Sequence, residues 1–340
     1  MDLSELHFDL PQELIAQQPV EPRDGCRLMV LEREKQTIKH DRFFNIGQYL
    51  QKGDVLVFND SRVLPARLIG HRGTSKRELL LLKDLGQGKW EVMIRGKIKQ
   101  GDKIDFPQDL SCEVLNHQKD VYHVQFNQTG QDFIQTTEQI GQTPTPPYIK
   151  QVVKDPEQYQ TIYAKESGSA AAPTAGLHFT RELLDKLTEL GIQQEFVTLH
   201  VGLGTFQPIK TEKIEDHQIH SEWYSILTDT YGRLLAAKSD GRRIIAVGTT
   251  AVRVLETIMS SDFQYLDEDG IITGETRIYI YPGYKFEAVN AMITNFHIPN
   301  SSLLALVYAF AGQDFIKRAY QEAIDKKYRF FSFGDAMIIG

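Results

Sequence analysis

Short apolar runs recur in the first sixty residues of the chain and again in its last third. The runs at 27–31 and 55–58 are apolar almost throughout and too short for a helix, which is typical of strands covered on both faces. The same pattern predicts further strands in the second half of the chain, at 196–199, 244–247, 277–281 and 292–294.

Segments with helical spacing alternate with these strands. Between Thr180, a favourable N-cap, and Gly191, a favourable helix end, the leucines at 183, 184, 187 and 190 form one apolar stripe. Helices are also predicted at about 251–259, 303–311 and 315–326. This alternation predicts a large α/β domain, of mixed α+β character, built on a mixed sheet.

The pattern changes between residues 65 and 147, where short strand-like pieces are separated by turn signals. Regularly spaced short strands without a helical period indicate an all-β barrel or sandwich. A proline-rich segment at 143–147 forms a stiff boundary. We therefore predict a small antiparallel β-barrel domain at 65–147, inserted into a large catalytic domain of residues 1–64 and 148–340.

Composition restricts the class of protein. The net charge of −7 means that any nucleic-acid partner must be met by a local basic surface. Cys26 and Cys112 lie far apart, so they provide neither a disulfide framework nor a thiolate zinc site. The first residues lack the basic stretch of a signal peptide, and the longest apolar run, 303–311, is too short to cross a bilayer. We expect a cytoplasmic protein without membrane association.

Small and polar residues precede the helix that Thr180 caps. The segment 170–180 contains Thr174, Gly176 and His178, and a helix N-terminus attracts carboxylate or phosphate. The positive helix end would lower the basicity of a histidine there and favour a neutral base. A packed loop with a hydrogen-bonded histidine is the alternative.

A second strand-to-helix turn follows the strand at 244–247. Gly248 ends the strand, Thr249 and Thr250 follow, and Arg253 is expected in the first turn of the next helix. Ligands of open α/β sheets bind at such turns, and an arginine there can hold a carboxylate or phosphate. A solvated surface arginine is the alternative.

Polar residues also end the strand at 292–294. Asn295, Phe296 and His297 follow it directly, and polar groups at a buried strand end must find partners. Near the end of the chain, the aromatic residues Phe330, Phe331 and Phe333 fit a core stripe, and we expect at least two of them in the core.

Two familiar kinds of site are disfavoured. The run beginning Gly202-Leu203-Gly204 has Gln207 where a dinucleotide motif needs its third glycine. His217 and His220 precede a strand-like segment, and an extended chain would send them to opposite sides, so no metal site is predicted. Glu222, close to these histidines, fits acid–base chemistry or an ordinary hydrogen-bonded pair.

Taken in order, the motifs resemble one family. The segments are 59–67, 171–180, 199–206, 246–253, 282–284, 294–299 and 328–335. They resemble the S-adenosylmethionine:tRNA ribosyltransferase-isomerases of the queuosine pathway over essentially the whole chain. The departures are minor: Ala170, Lys52, Asn290 and a looser turn at 73–76. Asn290 stands where an aspartate is expected, so no role is assigned to it.

The resemblance implies a reaction. The ribosyl part of S-adenosylmethionine moves onto the aminomethyl group of 7-aminomethyl-7-deazaguanine at the wobble position of a tRNA with a GUN-type anticodon, giving epoxyqueuosine, adenine and methionine. S-adenosylmethionine is then a co-substrate, and neither a bound cofactor nor a metal is expected. The chemistry needs a base, an acid for departing adenine, a carboxylate clamp and aromatic surfaces. We expect a monomer.

Site residues follow from matching these needs to residue chemistry. The expected catalytic residues are the acid–base candidates His178, His200 and His297 and the anionic candidates Glu222 and Asp335. The expected clamps are Arg62 and Arg253, and the expected ring faces are Phe206, Tyr284 and Phe296. The other expected substrate-binding residues are Asn59, Asp60, Thr174, Gly176, Gly202, Gly204, Thr249, Thr250 and Asn295.

The acidic net charge conflicts with a tRNA substrate unless basic residues are concentrated locally. Lysine and arginine are dense at 97–103, 242–243 and 326–329, and we expect the cleft between the domains to collect such groups. A methyltransferase acting on RNA, a non-catalytic RNA-binding protein and a metal hydrolase are the alternatives. The first lacks its usual glycine-rich loop, and for the second the histidines and Glu222 lie outside the predicted barrel.

Overall fold

The computed structural model describes residues 1–118, 121–151, 155–202, 208–265 and 267–340. Its strands are β1 (Arg27–Glu32), β2 (Thr37–Arg42), β3 (Val55–Asn59), β4 (Ser61–Val63), β5 (Arg67–Arg72), β6 (Ser75–Gly86), β7 (Lys89–Arg95), β8 (Lys103–Asp105), β9 (Ser111–Gln118), β10 (Val121–Phe126), β11 (Glu166–Ser169), β12 (Gln193–Leu199), β13 (Glu222–Leu227), β14 (Ile244–Val247), β15 (Asp267–Glu268), β16 (Ile271–Thr276), β17 (Ala291–Asn295) and β18 (Ala336–Ile339). Its α-helices are α1 (Gly130–Ile140), α2 (Arg181–Glu189), α3 (Thr228–Ser239), α4 (Thr249–Ile258), α5 (Ser302–Ala311) and α6 (Gln313–Asp325).

The described residues form two compact units. The first comprises Met1–Ser61, Pro147–Glu166 and Ala172–Gly340, and the second comprises Arg62–Pro146 and Ser167–Ala171. Each unit has its own buried apolar core. The chain therefore enters the second unit twice, at Arg62–Pro146 and at Ser167–Ala171, and returns to the first unit each time.

A mixed ten-stranded sheet organises the first unit, in the order β15-β16-β13-β12-β3-β14-β17-β18-β1-β2. The four central strands β12, β3, β14 and β17 are parallel to one another. β18 is antiparallel to β17 and parallel to β1. Every residue of β3, β14 and β17 is buried, as expected for parallel strands covered on both faces. The predicted mixed α/β fold is confirmed.

A closed antiparallel barrel of six strands forms the second unit, in the order β10-β7-β6-β5-β8-β9. Side chains such as Leu68, Val92 and Val124 fill it and are fully buried. The predicted antiparallel barrel is confirmed. The expectation that this region lacks helices is wrong, because α1 lies there and packs Phe133 against Trp90 and Phe126.

Local signals placed the elements that border the site. The Thr180 side chain accepts a hydrogen bond from the Leu183 amide at 3.2 Å and caps α2. Gly191 follows the helix end with a φ of +79°, a conformation that glycine adopts without strain.

The predicted strand at 277–281 is wrong. The strand there is β16, which ends at Thr276, and the Ile278 amide instead donates to the Thr276 hydroxyl at 3.2 Å.

Candidate active site at the carboxyl ends of the parallel strands

A pocket opens where β14 and β17 end. Because these strands are parallel neighbours, the residues that follow each of them meet at one edge of the sheet. The pocket encloses about 630 Å³ including its open mouth. It is lined by Tyr148, Ala172, Pro173, Thr174, Ala175, Val201, Gly248, Thr249, Thr250, Thr294, Asn295, Phe296, His297, Ile298, Leu303, Phe331 and Ser332. We call this the main pocket.

The turn from β14 into α4 forms one wall of the main pocket. Gly248 has a φ of +90°, which places Thr249 and Thr250 at the start of the helix beside the pocket. The Thr250 hydroxyl is buried and, within the described part of the chain, has no hydrogen-bond partner. A buried hydroxyl without a partner is costly, so this wall offers a group that a ligand can satisfy.

Asn295 is the centre of a hydrogen-bond network beside the pocket. Its Nδ2 donates to the Phe331 carbonyl at 3.2 Å and to Nε2 of His178 at 3.0 Å. Its Oδ1 accepts from the Thr174 hydroxyl at 3.1 Å. The Phe331 carbonyl can only accept, so it fixes the orientation of the amide.

His178 lies behind this network and is not a lining residue of the main pocket. Its Nδ1 is 3.2 Å from Sγ of Cys26, and both residues line a separate, smaller pocket. Burial lowers the pKa of His178 from its ordinary 6.5 to about 3, helped by the charges of Arg329 and Arg23. The expected neutral histidine is present, but its cause is burial rather than a helix terminus.

His297 lines the main pocket directly. Its Nε2 is 2.8 Å from the Thr294 hydroxyl, and its backbone amide donates to the Tyr320 hydroxyl at 3.0 Å. Burial lowers the pKa of His297 to about 3. The pocket therefore holds a neutral imidazole whose Nε2 contacts Thr294, on a backbone that Tyr320 holds in place.

The aromatic residues near the pocket serve mainly as core. Phe330, Phe331 and Phe333 are all buried, which confirms the expectation for at least two of them. Phe331 has a φ of +71°, a conformation that is strained for a bulky residue and that turns its carbonyl to Asn295. Phe296, an expected ring face, lines the main pocket, and its ring is buried beside Tyr320.

A second polar cluster forms around Glu222 at the start of β13. The carboxylate accepts a hydrogen bond from the Gly202 amide at 2.9 Å and pairs with Arg253 of α4. Both charged side chains are at least nine-tenths buried. The expected pairing of Glu222 with a histidine is therefore replaced by an ion pair, and Arg253 is not the solvated arginine of the alternative.

His200 lies close to the same strand. Its ring packs against Trp223, with the ring centroids 4.8 Å apart, and burial lowers its pKa. Its Nε2 is buried and without a hydrogen-bond partner among the described residues. His200 is not among the lining residues of the main pocket.

Several other expected site residues have structural partners. Asp335 accepts the backbone amides of Arg27 and Arg329 at 2.9 and 2.8 Å and contacts no imidazole of the described chain. Asn59 bonds the backbone of Leu199 through both ends of its amide. The hydroxyl of Tyr284 donates to Glu256 at 3.0 Å.

The remaining expected residues are distributed around the strand ends. The Asp60 carboxylate accepts from Thr198 at 2.7 Å, and burial raises its pKa. Gly176 packs against Tyr163. Arg62 is the first residue of the second unit. Gly204 and Phe206 lie outside the described residues.

The basic residues at 242–243 have structural roles. Arg243 pairs with the buried carboxylate of Asp54, and Arg242 donates to Gln193 at 2.8 Å. Both precede β14, whereas the main pocket follows it. They therefore lie at the amino end of β14, whereas the main pocket lies at its carboxyl end.

Sequence reasoning missed residues whose side chains carry no obvious chemistry in isolation. The sequence raises Cys26 only as a candidate for a disulfide or a zinc site, and it assigns no site role to Tyr163 or Phe331. Their roles depend on contacts with residues more than a hundred positions away or on backbone geometry. The positive φ of Phe331 in particular leaves no signal in the sequence.

The described residues form neither a metal-binding cluster nor a bilayer-spanning helix. They bring together no cluster of three or more histidine, cysteine, aspartate or glutamate side chains able to hold a metal ion. In the same residues, no helix combines the length and apolar composition that crossing a bilayer requires.

Comparison with known proteins identifies the family. The sequence profile described as queuosine biosynthesis protein matches residues 3–339. The S-adenosylmethionine:tRNA ribosyltransferase-isomerases of Caldanaerobacter subterraneus subsp. tengcongensis and Symbiobacterium thermophilum are 50% and 48% identical, over 100% of this chain and 100% of each relative. The crystal structure of S-adenosylmethionine tRNA ribosyltransferase from Thermotoga maritima matches with a TM-score of 0.59 and 39% identity, covering 99% of this chain and 100% of that chain. These matches confirm the resemblance of the motifs, and the chain belongs to the queuosine biosynthesis protein family.

Proposed function

We propose that this protein is a transferase that moves and isomerises the ribosyl part of S-adenosylmethionine onto 7-aminomethyl-7-deazaguanine at the wobble position of tRNA. The products are epoxyqueuosine in the tRNA, free adenine and methionine. The observation that carries the proposal is the identity of about half of all positions, over the full length, to proteins that bear the name of this activity. The main pocket supplies a candidate ligand site at the carboxyl ends of the parallel strands.

The neutral histidine of the main pocket suits a cationic co-substrate. A protonated imidazole would repel the sulfonium of S-adenosylmethionine, whereas burial keeps His297 uncharged near neutral pH. When a proton is removed from the carbon beside the sulfonium, the C–H electron pair stays on that carbon and the proton passes to the imidazole. The net charge of the pocket is unchanged, so the step adds no charge to a buried site. We assign His297 this role.

We assign His178 a positioning role. It contacts the Asn295 amide at 3.0 Å and is not a lining residue of the main pocket. With Asn295 donating to Nε2, the neutral ring carries its proton on Nδ1 and donates it to Cys26 Sγ. This arrangement holds the amide that in turn accepts from Thr174. Thr249, Thr250 and Thr174 are then the hydroxyl groups available to the bound co-substrate.

The other expected properties belong to the same proposal. The substrate is a tRNA with a GUN-type anticodon, S-adenosylmethionine is a co-substrate rather than a resident cofactor, and the protein acts as a cytoplasmic monomer. Residues 1–64 and 148–340 form the catalytic domain and residues 65–147 the barrel domain. The exposed lysines Lys97, Lys99 and Lys103 of the barrel unit offer contacts to RNA phosphates.

The test is a turnover assay with defined RNA. The protein is incubated with S-adenosylmethionine and a tRNA carrying the deazaguanine precursor, and nucleosides and free adenine are analysed by mass spectrometry. Epoxyqueuosine and adenine in equal amounts are expected, and a matched tRNA with guanine at the wobble position should give neither. Methylated RNA without adenine would instead identify a methyltransferase, and RNA binding without any product would identify a binding protein.

A further inference from the structure

A small enclosed pocket lies beside the main pocket. It encloses about 280 Å³ including its opening, and Arg253 and Tyr279 supply its charged and phenolic groups. Its remaining walls are mostly aliphatic, from residues such as Ile219, Ile278 and Leu306. Leu303 lines both this pocket and the main pocket, so the two spaces are adjacent. We call it the small pocket.

Two hydrogen-bond donors in the small pocket lack acceptors. Nη2 of Arg253 is buried and, among the described residues, has no hydrogen-bond partner. The hydroxyl of Tyr279 is buried and equally without a partner. Burial raises the pKa of Tyr279, so its hydroxyl keeps its proton and can donate. Buried donors without acceptors are costly and rare in native proteins, which points to an acceptor supplied by a ligand.

Two hydrogen bonds hold the guanidinium of Arg253 in place. Its Nη1 donates to Glu222, and its Nε donates to the Ile278 carbonyl at 3.3 Å. These two bonds fix the plane of the guanidinium and leave Nη2 as the group available to a ligand. The second bond also ties Arg253 to the segment that carries Tyr279.

The charge balance selects the kind of ligand. Arg253 is already neutralised by Glu222, which is 5% exposed. A dianion such as a phosphate would therefore meet a buried carboxylate without a cation to balance it. An α-amino acid head group carries its own ammonium beside its carboxylate, so it is neutral overall and adds no net charge beside the buried ion pair.

We propose that the small pocket binds the α-amino acid end of S-adenosylmethionine, with Arg253 Nη2 and the Tyr279 hydroxyl donating to its carboxylate. The inference rests on the proposed function, which supplies the co-substrate. Thr249 of the main pocket and Arg253 stand four residues apart on α4, so they lie one above the other on one helix face. This places the small pocket one helical turn from the main pocket.

The test compares S-adenosylmethionine with decarboxylated S-adenosylmethionine, which lacks only the carboxylate. Affinities for both compounds are measured by isothermal titration calorimetry for the wild type and for Tyr279→Phe. The wild type is expected to bind S-adenosylmethionine at least about a hundredfold more tightly, because the carboxylate accepts two buried hydrogen bonds and each such bond to a charged group changes affinity by about tenfold. The factor for one bond is therefore about tenfold. Tyr279→Phe should lose about this factor for S-adenosylmethionine and nothing for the decarboxylated compound.

Two further variants, Tyr281→Phe and Arg253→Lys, are compared with Tyr279→Phe. Tyr281→Phe removes a hydroxyl from the neighbouring tyrosine, whose ring centroid is 5.1 Å from that of Tyr279 but which does not line the small pocket. It should behave as the wild type with both compounds. Arg253→Lys keeps the charge for Glu222 but loses the second donor, and it should show the same selective loss once a thermal melt confirms folding.

Each outcome bears on one proposal or the other. Equal losses for both compounds in Tyr279→Phe, or no loss for either, would overturn the assignment of the small pocket, including the case in which only water occupies it. The turnover assay tests the proposed function independently of the small-pocket assignment. If adenine release depends on S-adenosylmethionine but the compounds are not distinguished, the small pocket alone is wrongly assigned. If discrimination is found without adenine release, the function is wrong and the binding site stands.

Discussion

Nδ2 of Asn295 donates a hydrogen bond to Nε2 of His178 at 3.0 Å, which couples a histidine outside the main pocket to an amide that lines it. The same amide accepts from the Thr174 hydroxyl. The far side of the imidazole is 3.2 Å from Cys26 Sγ. A chain of four hydrogen-bonded side chains therefore connects the thiol of Cys26 to the hydroxyl of Thr174 in the main pocket. A substitution of Cys26 should therefore change the geometry of the pocket.

Removing the thiol tests this chain. Cys26→Ala leaves the Nδ1–H of His178 without an acceptor and should cost about 1–3 kcal/mol of unfolding free energy, with a raised KM for S-adenosylmethionine. Cys26→Ser supplies an oxygen acceptor and should restore KM. The control is Cys112→Ala in the barrel unit, where the thiol is equally buried. If KM rises as much in that control as in Cys26→Ala, the chain has no positioning role.

The two histidines should respond differently to substitution. His297→Ala removes the imidazole that lines the main pocket, and turnover should fall by at least about tenfold, the lower range for loss of a general acid or base. His178→Ala acts through Asn295, so its main effect should be on KM for S-adenosylmethionine. Steady-state kinetics on both variants measures these effects. If turnover of His297→Ala falls by less than about tenfold, His297 is not the base.

Stability should depend on pH between about 3 and 6.5. His178 and His297 are neutral in the folded protein because burial lowers their pKa to about 3, whereas in the unfolded chain they take up protons below about 6.5. Stability is therefore retained above 6.5 and falls as the pH drops, by about 2 kcal/mol for each histidine between pH 7 and 5. Urea unfolding at the two pH values measures this, and His297→Gln should abolish about half of the difference.

Gly176 should not tolerate a side chain. A Cβ there would overlap the Tyr163 hydroxyl and lie 2.9 Å from Cγ2 of Thr161, so Gly176→Ala should destabilise the protein by at least about 1 kcal/mol. Tyr163→Phe removes a buried hydroxyl that has no partner among the described residues and should recover part of this loss. Gly232→Ala in α3, where nothing lies within 4 Å, should instead stabilise. Thermal melts of the three single variants and of the double variant Gly176→Ala/Tyr163→Phe test these expectations. If the double variant is no more stable than Gly176→Ala, the proposed clash with Tyr163 is wrong.

Binding of tRNA should weaken steeply with salt. Each phosphate contact contributes roughly one unit to the slope of log affinity against log salt concentration, so Lys99→Ala should lower that slope by about one unit if this lysine contacts phosphate. Lys39→Ala is the control, because Lys39 is paired with Glu32 at 2.6 Å. Affinity independent of salt would contradict the proposed tRNA surface altogether.

The sequence predicted the central elements of the fold well because their signals are local. The apolar run of β14 and the Thr180 cap of α2 depend on neighbouring residues only, and both were placed correctly. The segment 277–281 has the same alternation as a strand, yet its isoleucines and Tyr279 line the small pocket instead. Local pattern does not distinguish a strand from a pocket wall.

The candidate site was predicted in position more than in detail. The turns holding Thr249 and Asn295 were located because glycine or polar residues end a buried strand. The identity of each partner was not predictable, since it depends on the folded chain. Glu222 pairs with Arg253 rather than with a histidine, and Asp335 accepts backbone amides and lies 4.0 Å from the guanidinium of Arg329. Burial, which determines the state of His178, likewise emerges only in the folded chain.

The parallel pairing of β1 with β18 joins Leu28 to Ala336. During synthesis on the ribosome, β1 lacks this neighbouring strand until β18 has been made. The barrel, whose six strands lie within residues 67–126, meets no such delay. We therefore expect nascent chains truncated before residue 336 to contain a closed barrel and an incomplete sheet with exposed apolar edges, which makes them targets for chaperones.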